Sequence, residues 1–133
     1  MAQYNELLVS ASDAELLSLI VGDRRRSPGL EADAADALAD LLLEARMVPH
    51  EHLPADCIAL NSRVTYSIEP GGQPRTMTLV HPNEANPATG RISVLSPVGR
   101  ALLGRRCGET IEAGVPGRPG MTLRVLTAER SES

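Results

Sequence analysis

The first third of the chain places apolar residues at helical spacing in two stretches. The apolar residues of the first stretch are Leu16, Leu17, Leu19 and Ile20. They follow Ser12 and Glu15, whose separation is that of a capping box at a helix start. A second periodic stretch runs from about residue 31 to 47. Between them, GDRRRSPG at 22–29 indicates an exposed turn, because glycine and proline disfavour helix and three adjacent arginines require solvent.

Two helices with a short polar connection are expected to pack antiparallel, so we predict a short helical hairpin over residues 1–48. Its leucines would be buried between the two helices. A dimer seam formed by the same leucines is the alternative use, although a monomer is the simpler expectation.

After Asn61 the apolar positions change from the helical period to alternation, which is typical of strands. The extended runs are 63–68, 76–81, 91–95, 108–115 and 121–126. EPGG joins the first two as a hairpin, and PGRPG joins the last two. We therefore predict an α+β chain in which a connector at 49–61 leads to a sheet domain at 62–133. That domain holds a mostly antiparallel five-stranded sheet and one short helix.

The short helix lies in ISVLSPVGRALLG, residues 92–104. Ser96 is a favourable N-cap, and Pro97 occupies the first helical position, where its missing N–H costs nothing. Gly104 can end the segment in a left-handed conformation. Gly99 inside the helix costs about 1 kcal/mol relative to alanine, which indicates close approach of another backbone. Three uses remain open at this point: a cover for the sheet, an anion site, or a docking edge for a partner protein.

Composition and charge narrow the function classes. The chain has 133 residues and a net charge of -4, which argues against general nucleic-acid binding through a basic surface. Residues 1–47 carry nine acids and four arginines, whereas 48–133 carry eight acids and nine arginines. The chain has no phenylalanine or tryptophan, so an aromatic-lined ligand pocket is not expected. We expect neither a membrane span nor a secretion signal, and therefore a cytoplasmic protein.

The candidate metal and thiol groups favour structural roles. His50 and His52 flank Glu51, but zinc needs three or four converging ligands, and His81 is the one further histidine in the sequence. We therefore predict no metal and no cofactor. Cys57 and Cys107 stand fifty positions apart and are expected to be reduced core residues, because disulfides are rare in the cytoplasm.

Several segments resemble the Gre superfamily of transcription factors. They are MVPHEHLPADCIALNSRV, TLVHP, SVLSPVGRALLG, GETI and VPG. The similarity runs from about residue 13 to 129 and is strongest to the Rnk family, the regulators of nucleoside diphosphate kinase. It implies a helical hairpin attached to an FKBP-like sheet domain. It also implies binding to RNA polymerase at the rim of its secondary channel, without stimulation of transcript cleavage. We expect no direct sequence-specific recognition of nucleic acid.

The resemblance places the polymerase-binding corner at Leu95, Ser96 and Pro97, with Arg100 at a matching arginine. Leu95 departs from the polar residue that cleavage factors carry there, so docking would be more apolar. The fold also suggests prolyl isomerase activity, but isomerases need an aromatic pocket that this composition cannot supply.

The hairpin tip carries Asp23, Arg24, Arg25 and Arg26 as candidate contact residues. Cleavage factors use acidic tip residues to help hold a catalytic Mg²⁺, whereas here one carboxylate stands beside three guanidinium groups. A helix of about ten residues also spans only about 15 Å. We therefore expect a non-enzymatic regulator. The alternatives are residual cleavage through Asp23 and Glu31, or an adaptor that acts directly on nucleoside diphosphate kinase.

Overall fold

A computed structural model describes residues 7–26, 29–113 and 120–130, with the side chains of Leu30, Glu31 and Ala113 also outside the description. The helices are α1 (Ala11–Arg24), α2 (Leu30–Glu44) and α3 (Pro97–Leu102). The strands are β1 (Leu8–Ser10), β2 (Arg46–Val48), β3 (Arg63–Glu69), β4 (Arg75–Val80), β5 (Arg91–Ser93), β6 (Thr110–Ala113) and β7 (Met121–Glu129). The chain is therefore α+β.

The first helix begins two residues earlier than the capping-box pattern predicted. Ser10 is the N-cap, and its Oγ accepts a hydrogen bond of 3.1 Å from the backbone N–H of Asp13. Ser12 lies inside the helix and is exposed. The helix also continues through Gly22 to Arg24, so the turn between the helices is shorter than the predicted 22–29. Ser27 and Pro28 of that turn lie outside the described residues.

The second helix ends at Glu44 and not near residue 47. Ala45 leaves the helical conformation with ψ 146°, and the chain continues as β2, which pairs in parallel with β1. The backbone N–H of Arg46 donates to the Leu7 carbonyl at 2.8 Å. This small sheet joins the two ends of the helical segment, and the sequence pattern gave no indication of it because each strand has three residues.

The main sheet has the strand order β5-β4-β3-β7-β6. The β3–β4, β3–β7 and β6–β7 pairs are antiparallel, whereas β4 and β5 are parallel. The sheet is therefore mixed: three of its four strand pairs are antiparallel, and the prediction of a mostly antiparallel sheet did not specify the parallel pair at β5. The chain returns from β4 to β5 through the polar loop at 81–90, which contains two short 3-10 turns and so allows β5 to run in the same direction as β4.

One buried cluster contains residues from the helical segment and from the sheet. Leu17, Ile20 and Leu38 are buried as predicted, but Leu16 and Leu19 are 41% and 68% exposed. The helical period explains the difference, because residues 16 and 19 lie on the side of α1 opposite to Leu17 and Ala14. The boundaries 1–48, 49–61 and 62–133 stay predictions.

The connector between α2 and the main sheet is held at several points. Arg130, directly after β7, donates hydrogen bonds from its guanidinium to the carbonyl oxygens of Leu53 and Pro54. The backbone N–H of Ile58 donates to the Arg105 carbonyl at 2.8 Å. Cys57 is buried in the connector, but Cys107 is exposed, so only the first thiol is a core residue. Among the described helices, none is long and apolar enough to span a membrane.

Candidate functional site

The junction of β5 and α3, residues 93–100, forms a tightly bonded turn that we call the Ser-Pro corner. Ser96 is the N-cap of α3, and its Oγ accepts a hydrogen bond of 3.0 Å from the backbone N–H of Gly99. The same hydroxyl donates to the Ser93 carbonyl at 2.7 Å, and the Ser93 Oγ accepts from the backbone N–H of Leu95 at 2.9 Å. Pro97 occupies the first position of the helix, as predicted.

Gly99 is required at the corner because another backbone passes against it. A Cβ built on Gly99 would lie 2.0 Å from the Ser93 carbonyl oxygen and 3.0 Å from the Ser96 Oγ. Real Cβ atoms do not approach backbone oxygens at 2.0 Å. The close approach predicted from the cost of an interior glycine is therefore present, and its partner is the end of β5 within the chain.

Leu95 and Arg100 have roles within the corner that the sequence did not indicate. The Leu95 side chain is 8% exposed and belongs to the core. The guanidinium of Arg100 turns back and donates to the Leu95 carbonyl oxygen. Burial lowers the pKa of Arg100, but an arginine remains cationic at neutral pH. The surface that the corner presents to solvent therefore includes Ser96 and Pro97, which are half-buried, as are Ser93, Val98 and Arg100.

Ser93 is the corner residue that sequence reasoning missed. Its carbonyl oxygen accepts bonds from the backbone N–H and the hydroxyl of Ser96, and its own hydroxyl binds Leu95. The spacing of Ser93 and Ser96 was the available signal, because a serine hydroxyl commonly bonds to backbone groups two or three residues away.

The four predicted tip residues lie near one another in sequence but have different surroundings. The Asp23 side chain is 73% exposed. Arg24 is mostly covered and donates to the Oδ1 of Asn83 at 2.7 Å, in the loop that follows β4. Arg25 pairs with Asp36 of α2 at 2.9 Å, and Arg26 is exposed. Arg24 therefore contacts both the loop after β4 and the Asp23 carboxylate, at 3.7 Å, whereas Asp23 and Arg26 are themselves exposed.

The remaining candidate groups do not converge. Within residues 7–26, 29–113 and 120–130 no cluster of three or more histidine, cysteine or acidic side chains could hold a metal ion. Burial raises the pKa of the Cys57 thiol to about 11. Burial also raises the pKa of Asp13, although the hydrogen bond that its carboxylate accepts from the Leu60 N–H opposes the shift. Asp13 thus links α1 to the segment that precedes β3.

Comparison with known proteins relates most of the chain to transcription factors. Residues 53–130 match the family described as transcription elongation factor, GreA/GreB, C-term. The regulator of nucleoside diphosphate kinase of Escherichia coli (strain K12) is 35% identical over 123 residues, which cover 92% of this chain and 88% of that protein. Transcription elongation factor GreA of Desulfovibrio desulfuricans is 33% identical over 79% of this chain and 70% of its own length.

A solved structure shows the same architecture. The prokaryotic transcription elongation factor GreA/GreB from Nitrosomonas europaea superposes with a TM-score of 0.72 at 30% identity, and the match covers 95% of this chain and 99% of that one. The family match includes the Ser-Pro corner and the whole main sheet, and the relatives are a regulator of nucleoside diphosphate kinase and a transcription elongation factor. The chain belongs to the GreA/GreB family of transcription factors, with the regulators of nucleoside diphosphate kinase among its relatives.

Proposed function

We propose that the chain is a bacterial transcription regulator that binds RNA polymerase near the rim of the secondary channel and competes there with Gre factors. One observation carries the proposal: a chain of the Gre family presents a rigid, solvent-facing Ser-Pro corner. Five hydrogen bonds described above hold this corner, and a rigid surface loses little conformational entropy when a partner binds. The proposal implies a cytoplasmic site of action.

Within this proposal Ser96 and Pro97 make the direct contacts. Arg100 acts as a positioning residue, because its guanidinium binds the Leu95 carbonyl and fixes the path of the chain into α3. Leu95 contributes its backbone, while its buried side chain anchors the corner in the core. The contact surface is therefore small, and the Leu95 side chain adds no apolar area to it.

We also propose that the chain does not stimulate transcript cleavage. The exposed carboxylate of Asp23 has Arg24 beside it at 3.7 Å, and Asp36 on the neighbouring helix already pairs with Arg25. Such surroundings oppose the binding of a second Mg²⁺. The helix is longer than predicted, 14 residues, but this still corresponds to only about 21 Å.

The fold of the sheet domain carries two further proposals. We infer that it is FKBP-like, with a helix inserted between β5 and β6, and that it has no prolyl isomerase activity. The composition supports the second point, because the chain has no phenylalanine or tryptophan to line an isomerase pocket.

The proposal is tested by co-elution of the purified chain with core RNA polymerase and by its effect on GreA- or GreB-stimulated cleavage in backtracked complexes. Wild-type chain is expected to co-elute and to weaken that cleavage at micromolar concentrations, without stimulating cleavage alone. Pro97→Ala is expected to reduce co-elution. Pro87→Ala is the matched control, because Pro87 also begins a short helical turn but is exposed in the loop before β5.

Two outcomes would refute parts of the proposal. Absence of co-elution and of competition would exclude polymerase binding. Stimulated cleavage that disappears in Asp23→Ala and Glu31→Ala would support a cleavage factor. A variant in which Arg24, Arg25 and Arg26 are all neutralised tests whether the tip or the corner binds polymerase. If this variant loses binding and Pro97→Ala does not, recognition lies at the tip.

The name of the Escherichia coli relative supports a second candidate, an adaptor that binds nucleoside diphosphate kinase directly. An immobilised chain should then retain the purified kinase in the absence of polymerase. A chain that retains polymerase but not the kinase would favour the first proposal, because a transcription regulator can change kinase levels without contact.

A further inference from the structure

A groove of about 300 Å³ lies beside the Ser-Pro corner, between α2, α3 and the start of β6. Pro97 is one of the residues that line it, so the groove adjoins the proposed contact surface. Leu41, Ala101 and Ile111 line it with apolar surface and are half or fully buried. The groove therefore offers an apolar lining directly next to the corner.

The exposed side chains around this groove are acidic. They are Asp40 and Glu44 of α2 and Glu112 of β6. Asp40 and Glu44 are four residues apart and so lie on the same face of the helix. Within the part of the chain that the structure describes, none of the three carboxylates takes part in an ion pair.

The two arginines of the groove are engaged inside the chain. Arg100 donates to the Leu95 carbonyl oxygen, and Arg105 lies 3.6 Å from the carboxylate of Glu109. They therefore do not pair with the three open carboxylates. Both arginines keep their positive charge and are half-buried, whereas the exposed charges of the groove are the three carboxylates.

We propose that this groove receives a basic segment of the polymerase, with the aliphatic part of a lysine or arginine on the apolar lining and its cation beside Asp40 and Glu44. Long cationic side chains bury their stems in this way while the charge stays in water. The inference rests on the proposed function and deepens it. The three exposed, unpaired carboxylates would repel the phosphates of RNA. The occupant is therefore a segment of protein.

The size of a specific interface supports the same conclusion. Stable protein interfaces bury about 800 Å² on each partner, which a corner of two half-buried residues cannot supply. A partner that covers Ser96 and Pro97 must extend onto neighbouring surface, and Pro97 also lines the groove. The corner would then fix the position of the partner, and the groove would add area and charge complementarity.

The test compares two double variants that remove the same charge. Asp40→Asn with Glu44→Gln removes two of the three exposed acids of the groove, and Asp33→Asn with Glu15→Gln removes two exposed acids that do not line it. Affinity for core polymerase is measured by titration at low and high salt. The groove variant is expected to bind roughly three- to tenfold more weakly than the wild type at low salt, with a smaller difference at high salt.

The outcomes separate the groove from the proposed function. Equal binding by both variants and by the wild type would overturn the groove proposal and leave polymerase binding intact. Tighter binding by the groove variant, as a nucleic-acid ligand would give, would also overturn it. If the wild type does not bind at all, both proposals fail. All four substituted acids are exposed, so folding should be unaffected, and thermal unfolding checks this.

Discussion

Replacement of Gly99 by alanine is expected to destabilise the chain, although alanine is the better helix former. The helical preference favours alanine by about 1 kcal/mol. Against this, the new Cβ would stand 2.0 Å from the Ser93 carbonyl oxygen. Because that neighbour is backbone, α3 or the end of β5 has to move. Overpacking of this kind costs about 1–3 kcal/mol, and each corner hydrogen bond that breaks adds about 1 kcal/mol.

The net loss for Gly99→Ala is therefore about 1–3 kcal/mol of unfolding free energy. For a chain of this length that corresponds to a fall in Tm of about 4–12 °C. Circular dichroism during thermal and urea unfolding measures both quantities. Gly22→Ala is the matched control, because Gly22 also lies in a helix but a Cβ there meets nothing within 4 Å. The control variant should gain about 0.5–1 kcal/mol.

The opposite signs of these two identical substitutions make the reasoning refutable. Suppose that Gly99→Ala unfolds at or above the wild-type temperature while Gly22→Ala gains stability. The backbone of the corner can then move to accept a Cβ without loss of unfolding free energy. The rigidity that supports the docking proposal would then be absent. If both variants lose stability, the helical preference used for the magnitude is wrong for this chain.

Three further predictions concern the corner, the thiols and the tip. Ser96→Ala should lower the unfolding free energy by about 1 kcal/mol through loss of the N-cap, measured by urea unfolding. With dithiobis(nitrobenzoic acid) at pH 8 the native chain should react rapidly at Cys107 only, because a pKa of about 11 leaves roughly 0.1% of Cys57 as thiolate. Arg24→Ala should cost about 0.5–1 kcal/mol through the lost bond to Asn83, measured by thermal unfolding.

Each of these three predictions has a control substitution or a result that would contradict it. Ser12→Ala, inside α1 and exposed, should change stability by less than about 0.5 kcal/mol. The same limit applies to Arg26→Ala. Rapid release of two equivalents of thionitrobenzoate by the folded chain would contradict the buried position of Cys57. Equal effects of the Arg24 and Arg26 substitutions would contradict a specific contact between the tip and the loop after β4.

Local sequence rules predicted α3 because every residue that shapes it is close by. Ser96, Pro97 and Gly99 lie within four positions, and capping and helical preference act over that range. The same rules misplaced the start of α1, because Ser10 and Ser12 are both acceptable caps. Burial of Val9 and Ser10 in the folded chain favours the earlier one.

The pattern of apolar and polar residues could not predict contacts between segments that are far apart in the sequence. β1 and β2 are 38 positions apart and have three residues each, which is too short for a periodic signal. Alternation identified β5 as extended, but the period of a strand carries no information on the direction of its neighbour. The bond from Arg24 to Asn83 spans 59 positions, and in the sequence Arg24 cannot be distinguished from Arg25 or Arg26.

The core that the helices share with the sheet restricts how the lengths of α1 and α2 can change. Leu17, Ile20 and Leu38 are fixed against the same cluster as Val64 and Leu123. One residue inserted near the base of either helix would rotate the following side chains by about 100° and turn leucines out of the core. Residues added between Arg24 and α2 would lengthen whichever helix they join by about 1.5 Å per residue and leave the base intact. Insertion at the tip is thus the route by which a chain of this kind can gain reach.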